Sequence, residues 1–429
     1  MQIIVKKILF IILICFFFLP LLQFTFSLIE KKPLSGYFED AEKPKYNNYK
    51  WISGEFQDLY LKYFRDNVGF RSFFIKNYSQ LRFSLFNVVN KNVGLMGSNN
   101  VIFEPRYVKP IGGADFVGKK TILKKVQDLD IIKNSLEDEG KRILVVLCPN
   151  KTRYFYDELP NHLKKIGLSN YEVYIEYFEK YKIDYIDFNQ YFMQKKKDVP
   201  FNLIPKYGIH WSEYGSVLAA DSIVKYCNQN YNYQLPHYIF DSIEVTNIAK
   251  GSDYDMGESL NLWKKLGNET YVYPYTRLSK GNNSKKKNIL VISDSFFYSM
   301  YKSNFSTDIF NMSGFWYYNR DLKGKNARTR KDSDIEQTIG ETDLVIIMLT
   351  EWNLYRFGFG IVEELKRYYT GGEIENKWVR YYIDRIRSDR KWYDQVKKEA
   401  LIRRITIDSM LLISAEHMSK KKEAELKNK

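Results

Sequence analysis

The sequence predicts an α/β fold, in which a doubly wound parallel sheet is flanked by helices and extended by an N-terminal transmembrane anchor and a C-terminal helical appendage. Short apolar strands alternate with helical patterns near residues 142–148, 182–188, 288–293 and 343–349. Such alternation is typical of a parallel sheet whose strands are covered on both faces. The 429 residues suffice for one enlarged α/β domain with additional helices.

The amino terminus predicts the anchor. Residues 8–26 contain almost no polar side chain and are long enough to cross a membrane once, and they follow Lys6 and Lys7. The positive-inside rule places these lysines in the cytoplasm and the remaining chain outside, in the periplasm or on the cell surface. Because no small-residue cleavage site follows the apolar run, residues 1–26 are expected to remain as a signal anchor in the cell membrane.

The rest of the chain is expected to form four segments. Residues 27–50 are a polar spacer, and residues 51–90 are a helical lead-in whose helix pair packs on the core. The α/β domain covers residues 91–360. Residues 361–429 are a helical appendage whose last dozen residues are expected to be disordered; its apolar faces contain Trp378, Tyr381, Ile386, Ile402, Ile405 and Met410.

The third strand ends in a polar turn that carries a candidate nucleophile. The apolar residues 289–292 lead into Ser293, Asp294 and Ser295. Ligands of parallel sheets bind beyond the carboxyl ends of the strands, and backbone N–H groups at the start of the next helix could stabilise an oxyanion. Ser295 is therefore the candidate nucleophile, although such a turn is also an ordinary helix N-cap.

One histidine has a suitable position for a catalytic base. His210 precedes a helical run over residues 216–227 and is followed by Trp211, so a packing histidine is the alternative. The other histidines lie in a polar run, in a Tyr-rich stretch and in the charged tail, at His162, His237 and His417. An imidazole has an unperturbed pKa near 6.5, so His210 could accept the proton of Ser295 as that hydroxyl attacks an acyl carbon.

Together these motifs resemble the SGNH hydrolase-like domain of the alginate O-acetyltransferase type. The resemblance rests on His-Trp-Ser-x-x-Gly at residues 210–215, a following helix, and a later strand that ends in Ser-Asp-Ser-Phe at residues 293–296. In this family the histidine precedes the serine, which is the reverse of ordinary GDSL esterases. Residues 64–71 and 93–104 also match segments that lead into the domain, so the resemblance spans roughly residues 50–355. It implies an SGNH-like fold.

The sequence departs from the family at the residue that orients the histidine. The family has Asp-x-His-Trp, but Gly208 stands at the position of that aspartate. A substitute acid is expected among Asp253, Asp255 and Glu351, with Glu351 as first choice because it follows the strand over residues 344–349. The alternatives are solvated carboxylates or caps, and a dyad supported by a backbone carbonyl. An aspartate restored at position 208 is expected to rescue part of the loss if the geometry allows.

Oxyanion and substrate-binding candidates follow other strands of the same sheet. Besides the Ser295 backbone N–H, they are the turn that contains Asn150 and Lys151, Asn319 after a predicted strand at residues 309–312, and Asp294 beside the serine. Simple turn formation is the alternative for Asn150 and Asn319.

The composition of the chain limits the classes of partner and cofactor that it is expected to bind. Aromatic residues make up 17% of the chain, including 35 tyrosines, which suits a carbohydrate cleft but is also explained by compositional drift. The net charge of +15 lies largely in lysine runs of solvated loops, and an exported chain without a nucleic-acid-binding motif is not expected to bind nucleic acid. No metal spacing, Walker loop or dinucleotide fingerprint occurs, so no cofactor is predicted. Cys148 and Cys227 do not form a disulfide framework, and a single bridge between them stays open.

The resemblance implies O-acetylation of an envelope or extracellular polysaccharide through a serine acyl-enzyme. It also implies that a multipass membrane-bound O-acyltransferase supplies the acyl group, because acetyl-coenzyme A is absent outside the cell. A carbohydrate acetyl esterase that uses the same residues is one alternative. A non-catalytic glycan-binding or scaffold protein is the other, because the orienting aspartate is missing.

Overall fold

The computed structural model describes residues 2–30, 32–36, 40–164, 167–267, 269–280, 286–323, 328–329, 334–370, 377–403 and 407–427. The helices are α1 Gln2–Phe26, α2 Asn48–Ile52, α3 Glu55–Asn67, α4 Arg71–Phe86, α5 Pro105–Val108, α6 Lys119–Asp138, α7 Lys151–Tyr154, α8 Asn170–Lys180, α9 Phe188–Lys195, α10 Glu213–Tyr231, α11 Asp255–Ser259, α12 Tyr298–Tyr301, α13 Asp334–Gly340, α14 Ile361–Thr370, α15 Lys377–Ser388, α16 Arg390–Arg403 and α17 Ile407–Lys427. The strands are β1 Leu95–Met96, β2 Ile102–Phe103, β3 Arg142–Cys148, β4 Tyr185–Asp187, β5 Tyr238–Thr246, β6 Tyr271–Leu278, β7 Asn288–Ser293, β8 Asn311–Tyr317, β9 Asp321–Lys323, β10 Arg328–Thr329 and β11 Leu344–Thr350.

The chain divides into two compact units that do not follow its linear order. Unit 1 contains residues 1–105, 206–209 and 250–268, and unit 2 contains the remaining residues. Residues 91–105, which the sequence placed at the start of the α/β domain, therefore cluster with the N-terminal elements. The predicted segment boundaries remain predictions.

Unit 2 is built on a seven-stranded sheet with the order β10-β9-β8-β7-β11-β3-β4. The five strands from β8 to β4 are parallel, and β9 pairs with β8 and with β10 in antiparallel fashion. The predicted doubly wound α/β fold is confirmed. The strand predicted at residues 309–312 is wrong in its bounds, because β8 begins at Asn311 and pairs with β7 through Tyr317.

The central strands are buried on both faces. One face contributes alternate residues such as Val145, Ile292 and Ile347 to a core shared with helices α6, α8 and α14. Residues of opposite parity, such as Val146 and Val291, are also fully buried. This explains why the strands are continuous apolar runs rather than alternating patterns.

The C-terminal appendage is helical, as the sequence predicts. Ile386 and Met410 lie in a small core formed by α15, α16 and α17. Of the other predicted apolar positions, Ile405 lies outside the described residues, as does the side chain of Ile402. The tail departs from the expected disorder, since α17 continues to Lys427 through residues such as Ala, Glu, Leu and Lys that have high helix propensity.

Unit 1 holds the apolar helix and the lead-in. α1 is the one helix among the described residues with the length and apolar composition needed to cross a membrane. Helices α3 and α4 contain no buried residue, and the expected packing of this pair on the core remains a prediction.

Candidate active site

Ser295 lies where the sequence predicts, immediately beyond the carboxyl end of β7. Asp294 caps a short 3₁₀ helix, Ser295–Phe297, by accepting a hydrogen bond from the Phe296 backbone N–H at 3.1 Å. This helical turn continues into α12. Ser295 is half-buried while Phe296 and Phe297 are buried, so packing fixes the backbone and leaves the hydroxyl at the surface of the site.

His210 is the residue that contacts the serine. Its Nε2 lies 2.8 Å from Ser295 Oγ. Ser212 caps α10 by accepting a hydrogen bond from the Gly215 N–H at 3.1 Å, so the histidine sits just before a fixed helix start. A neutral imidazole protonated on Nδ1 would accept the serine proton at Nε2. The sequence prediction that pairs these two residues agrees with this geometry.

Trp211 ties the histidine segment to the helix that follows the serine. Its indole N–H donates to Ser299 Oγ at 2.8 Å, and its ring packs edge-on against Phe296 with centroids 5.2 Å apart. The His210 ring also contacts Phe296, at 4.9 Å between centroids. His210 thus bonds to Ser295, and Trp211 bonds to Ser299 one helical turn later. The two hydrogen bonds hold the histidine segment in a fixed position relative to the serine turn. From the sequence a catalytic role is expected for His210 and only a packing role for Trp211, whereas the structure shows Trp211 bonded to Ser299.

Asp294 joins β7 to its neighbour β11. Its Oδ2 accepts hydrogen bonds from the Thr350 N–H at 2.9 Å, from Thr350 Oγ1 at 2.8 Å and from Asn353 Nδ2 at 2.7 Å. The carboxylate is 1% exposed. A carboxylate cannot donate to an oxyanion, so this geometry supports a part for Asp294 in fixing the turn; its predicted role in substrate binding remains a prediction. Thr350 and Asn353 were not singled out from the sequence, although Thr350 ends the buried strand β11 and Asn353 follows it.

Glu351 lies at the carboxyl end of β11 and is bound to other residues of the edge. Arg153 Nε donates to Glu351 Oε2 and Arg153 Nη2 to Oε1, each at 2.7 Å, and Asn150 Nδ2 donates to Oε2 at 3.0 Å. Burial lowers the pKa of Arg153, but its hydrogen bonds to Glu351 and the negative charges of nearby carboxylates together raise that pKa by more than burial lowers it. The net pKa lies above its usual value, so the guanidinium stays charged. Burial and Glu351 also raise the pKa of nearby Asp115 to about 6. The sequence missed Arg153, because a single arginine in a short helix carries no motif.

Asn150 and Lys151 follow β3 at the same edge of the sheet. The Asn150 amide donates to the Tyr107 carbonyl at 3.1 Å as well as to Glu351, and its Oδ1 accepts from the Thr152 N–H at 2.8 Å. Both amide hydrogens are therefore engaged, and an oxyanion role for this side chain would require one of these bonds to open. Lys151 is 2% exposed.

Asn319 follows β8 in a left-handed turn with φ of 51°. Its amide donates to the Phe359 carbonyl and to Glu364 Oε2, both at 3.3 Å. These bonds are long, and no donor of Asn319 is shown bound to the Ser295 turn. Its predicted oxyanion role also remains a prediction.

The structure gives a steric reason for Gly208. A Cβ at this position would lie 2.9 Å from the carbonyl oxygens of Ser252 and Asp253. An aspartate does not fit there without a backbone shift, so the geometric condition on which the rescue by aspartate at position 208 was expected is not met. Asp255, the first residue of α11, accepts a hydrogen bond at 3.0 Å from the N–H of Ile209, which precedes His210 in the sequence.

Cys148 and Cys227 are buried free thiols, so the bridge that the sequence left open is not formed. Burial raises the pKa of both thiols, which keeps them protonated.

Residues 116–288 match the family model of the SGNH hydrolase-like domain of acetyltransferase AlgX. The matched segment contains His210. It ends at residue 288, seven residues before Ser295. No curated protein matches the sequence.

Several solved structures are similar to this chain. The O-acetyltransferase domain of Pseudomonas putida AlgJ has 13% identity and a TM-score of 0.42, and the match covers 64% of this chain and 99% of that one. Pseudomonas aeruginosa AlgX has 15% identity and a TM-score of 0.38, with 63% and 67% covered. Bacillus cereus PatB1 has 13% identity and a TM-score of 0.36, with 55% and 91% covered.

Proposed function

We propose that this chain, which carries an SGNH hydrolase-like domain of the acetyltransferase type, is a membrane-anchored extracytoplasmic O-acyltransferase that acetylates an envelope or extracellular polysaccharide. The domain assignment comes from the match over residues 116–288. The observation that supports catalysis most strongly is the 2.8 Å approach of His210 Nε2 to Ser295 Oγ beyond the carboxyl end of β7.

The proposed reaction has two halves that share one base. His210 removes the Ser295 proton as Oγ bonds to the acyl carbon of the donor ester, and the tetrahedral oxyanion forms near the Ser295 backbone N–H. The imidazolium then protonates the departing alcohol, which leaves an acetyl ester on Ser295. In the second half, His210 removes a proton from a sugar hydroxyl, this oxygen attacks the acetyl carbon, and the serine leaves as it regains its proton.

The group that orients His210 is proposed to be a carboxylate, because Gly208 cannot provide one. Glu351 is the first candidate by sequence, but both its oxygens are bound to Arg153. Asp255 begins α11 shortly after Asp253, and its carboxylate accepts a hydrogen bond from the backbone N–H of Ile209. A dyad without an acid is the remaining possibility, and the amide substitutions described in the Discussion separate these cases.

The proposed location follows from α1. Between Ile3 and Phe26 it contains an 18-residue window that has a mean hydropathy of 2.6 and is not buried by the rest of the protein. A single span behind Lys6 and Lys7 would place the domain outside the cytoplasm. There the acetyl group has to arrive as an ester or thioester carried across the membrane, so we propose a multipass membrane-bound O-acyltransferase as the supplier.

Purified full-length protein tests the proposal. With a chromogenic acetyl ester, wild type should release the chromophore, and mass spectrometry should detect one acetyl group on the peptide that contains Ser295. Ser295→Ala and His210→Ala should each reduce turnover by at least about 10³-fold, and the double substitution should reduce it little further, because the pair acts as a unit. Ser135→Ala, which removes a hydroxyl bonded only to its own helix, is the matched control.

The acceptor distinguishes transferase from esterase. Added oligosaccharide should gain acetyl groups at the expense of free acetate if a sugar hydroxyl is the natural acceptor. Release of acetate alone would support the acetyl esterase, and wild-type turnover in Ser295→Ala would contradict both enzymes and leave the glycan-binding scaffold.

A further inference from the structure

Helix α4 in unit 1 exposes an apolar face that the catalytic proposal does not use. None of its 16 residues is buried. Phe74, Tyr78, Leu81 and Leu85 follow one another at helical spacing and form one stripe, and their exposed fractions are 49%, 62%, 58% and 63%. Contiguous apolar surface of this kind marks an interaction site in a soluble domain.

The neighbouring face of α4 is attached to unit 1, which leaves the stripe facing outward. The Phe73 ring lies 6.0 Å from the Trp263 ring, and Lys76 Nζ lies 5.4 Å from the centre of that ring. Gln80 Oε1 accepts a hydrogen bond from the Lys264 N–H at 3.0 Å. These contacts fix the rotation of the helix about its axis.

The start of α4 is fixed next to the end of the apolar helix α1. The Phe24 ring contacts Tyr63 and Phe64 of α3, with centroids 6.0 and 5.2 Å apart. The link between α3 and α4 passes so close to α1 that a Cβ on Gly69 would lie 2.2 Å from the Pro20 carbonyl oxygen. Because Pro20 precedes the end of α1 at Phe26, α4 begins beside the C-terminal turns of the apolar helix.

The composition of α4 suits a lipid surface. It contains Arg71, Lys76 and Arg82 and no acidic residue. Basic residues beside an aromatic and leucine stripe are typical of helices that lie in the headgroup region of anionic bilayers. A cleft of about 680 Å³ between α1 and the start of α4 is lined by apolar side chains that include Leu19, Phe24, Phe70 and Phe74, and it would accept a lipid acyl chain.

We propose that α4 lies in the plane of the extracytoplasmic lipid surface, with the stripe formed by Phe74, Tyr78, Leu81 and Leu85 inserted between anionic phospholipids. The inference rests on the proposed membrane span of α1 and adds a second attachment. Unit 1 is then held by a helix across the bilayer and a helix along it, so that its rotation at the surface is restricted.

Lipid-specific quenching in the full-length protein tests this attachment. The protein is reconstituted into vesicles of phosphatidylcholine and phosphatidylglycerol, with bromines on part of the acyl chains. In a Cys15→Ser background, single cysteines at Leu81 and Leu85 carry an environment-sensitive fluorophore, because Cys148 and Cys227 are buried. Ile11→Cys in α1 reports on the span, and Lys180→Cys at the exposed end of α8 is the aqueous control.

Bromolipid should quench labels at Leu81 and Leu85 several-fold more than the label at Lys180, and omission of phosphatidylglycerol should weaken this quenching. If the label at Ile11 is quenched and the labels at Leu81 and Leu85 give aqueous-like signals, the proposed position of α4 in the lipid surface is contradicted and the proposed membrane span of α1 is supported. Aqueous-like signals at all four positions would overturn both. Protection of Leu81 from an aqueous quencher in native membranes, but not in pure lipid vesicles, would assign the stripe to a membrane protein instead and contradict the proposal.

Discussion

The hydrogen bond between Ser295 and His210 is supported by aromatic packing as much as by polar contacts. Phe296 lies between the two segments, with its ring against both His210 and Trp211. Trp211 is 2% exposed and completes the connection through Ser299. The distance between the His210 imidazole and the Ser295 hydroxyl is therefore set by Trp211 and Ser299, which need not touch the substrate.

We predict that Trp211→Phe and Ser299→Ala each lower kcat about tenfold with little change in KM, since one neutral hydrogen bond contributes on the order of 1 kcal/mol. The double variant should resemble either single one, because both remove the same bond. Steady-state kinetics on the ester substrate measures this cycle. Additive losses would show that Trp211 acts through packing rather than through Ser299.

The orienting acid gives a second residue-scale prediction. The turnover of Glu351→Gln, Asp253→Asn and Asp255→Asn is compared. The variant that removes the orienting acid should have a turnover lower by some orders of magnitude, as amide substitution of the orienting aspartate does in serine proteases. Because Glu351 also pairs with the charged Arg153, its variant should lose stability in thermal unfolding as well. Near-normal turnover in all three variants would support a dyad.

At the scale of elements, the site depends on how two neighbouring strands end. β7 and β11 pair in parallel from Leu344 with Ile289 to Met348 with Ser293. Just beyond the last of these pairs, the Asp294 carboxylate connects the two strands by accepting hydrogen bonds from the backbone and side chain of Thr350. The nucleophile turn is thereby fixed to the adjacent strand as well as to its own.

Asp294→Ala tests this connection. It leaves the donors of Phe296, Thr350 and Asn353 buried without their acceptor, so we expect the free energy of unfolding to fall by about 2 to 4 kcal/mol and turnover to fall with it. Denaturant titration measures the change. Asp198→Ala, which removes a surface ion pair with Lys195, should change stability by less than about 0.5 kcal/mol. Equal effects of the two substitutions would contradict the structural role of Asp294.

At the scale of the whole molecule, the proposed function depends on which side of the membrane holds the domain. Protease added to intact spheroplasts should digest the chain beyond residue 26, while a cytoplasmic marker protein stays intact. A variant lacking residues 2–30 should keep esterase activity, since the Ser295 turn and His210 lie in unit 2. Complete protection of the full chain from protease would reverse the topology and remove the proposed extracellular acceptor.

Local patterns in the sequence predict the parallel α/β fold, the apolar N-terminal helix and the pairing of Ser295 with His210, since these depend on apolar runs, turn residues and a scarce histidine. Their strand-end and helix-start positions follow from the topology of a parallel sheet. Local patterns also misplaced the start and end of β8, since strand pairing decides where such elements end.

Only the tertiary structure decided what each neighbouring polar group is bound to. Residues far apart in the chain form the bonds of Glu351 with Arg153, of Asp294 with Thr350 and of Trp211 with Ser299. A sequence records no distance between such residues, so it cannot tell an available carboxylate from one already held by a guanidinium. For the same reason the sequence does not show why position 208 lacks an aspartate, whereas the structure has two carbonyl oxygens 2.9 Å from the position that its Cβ would take.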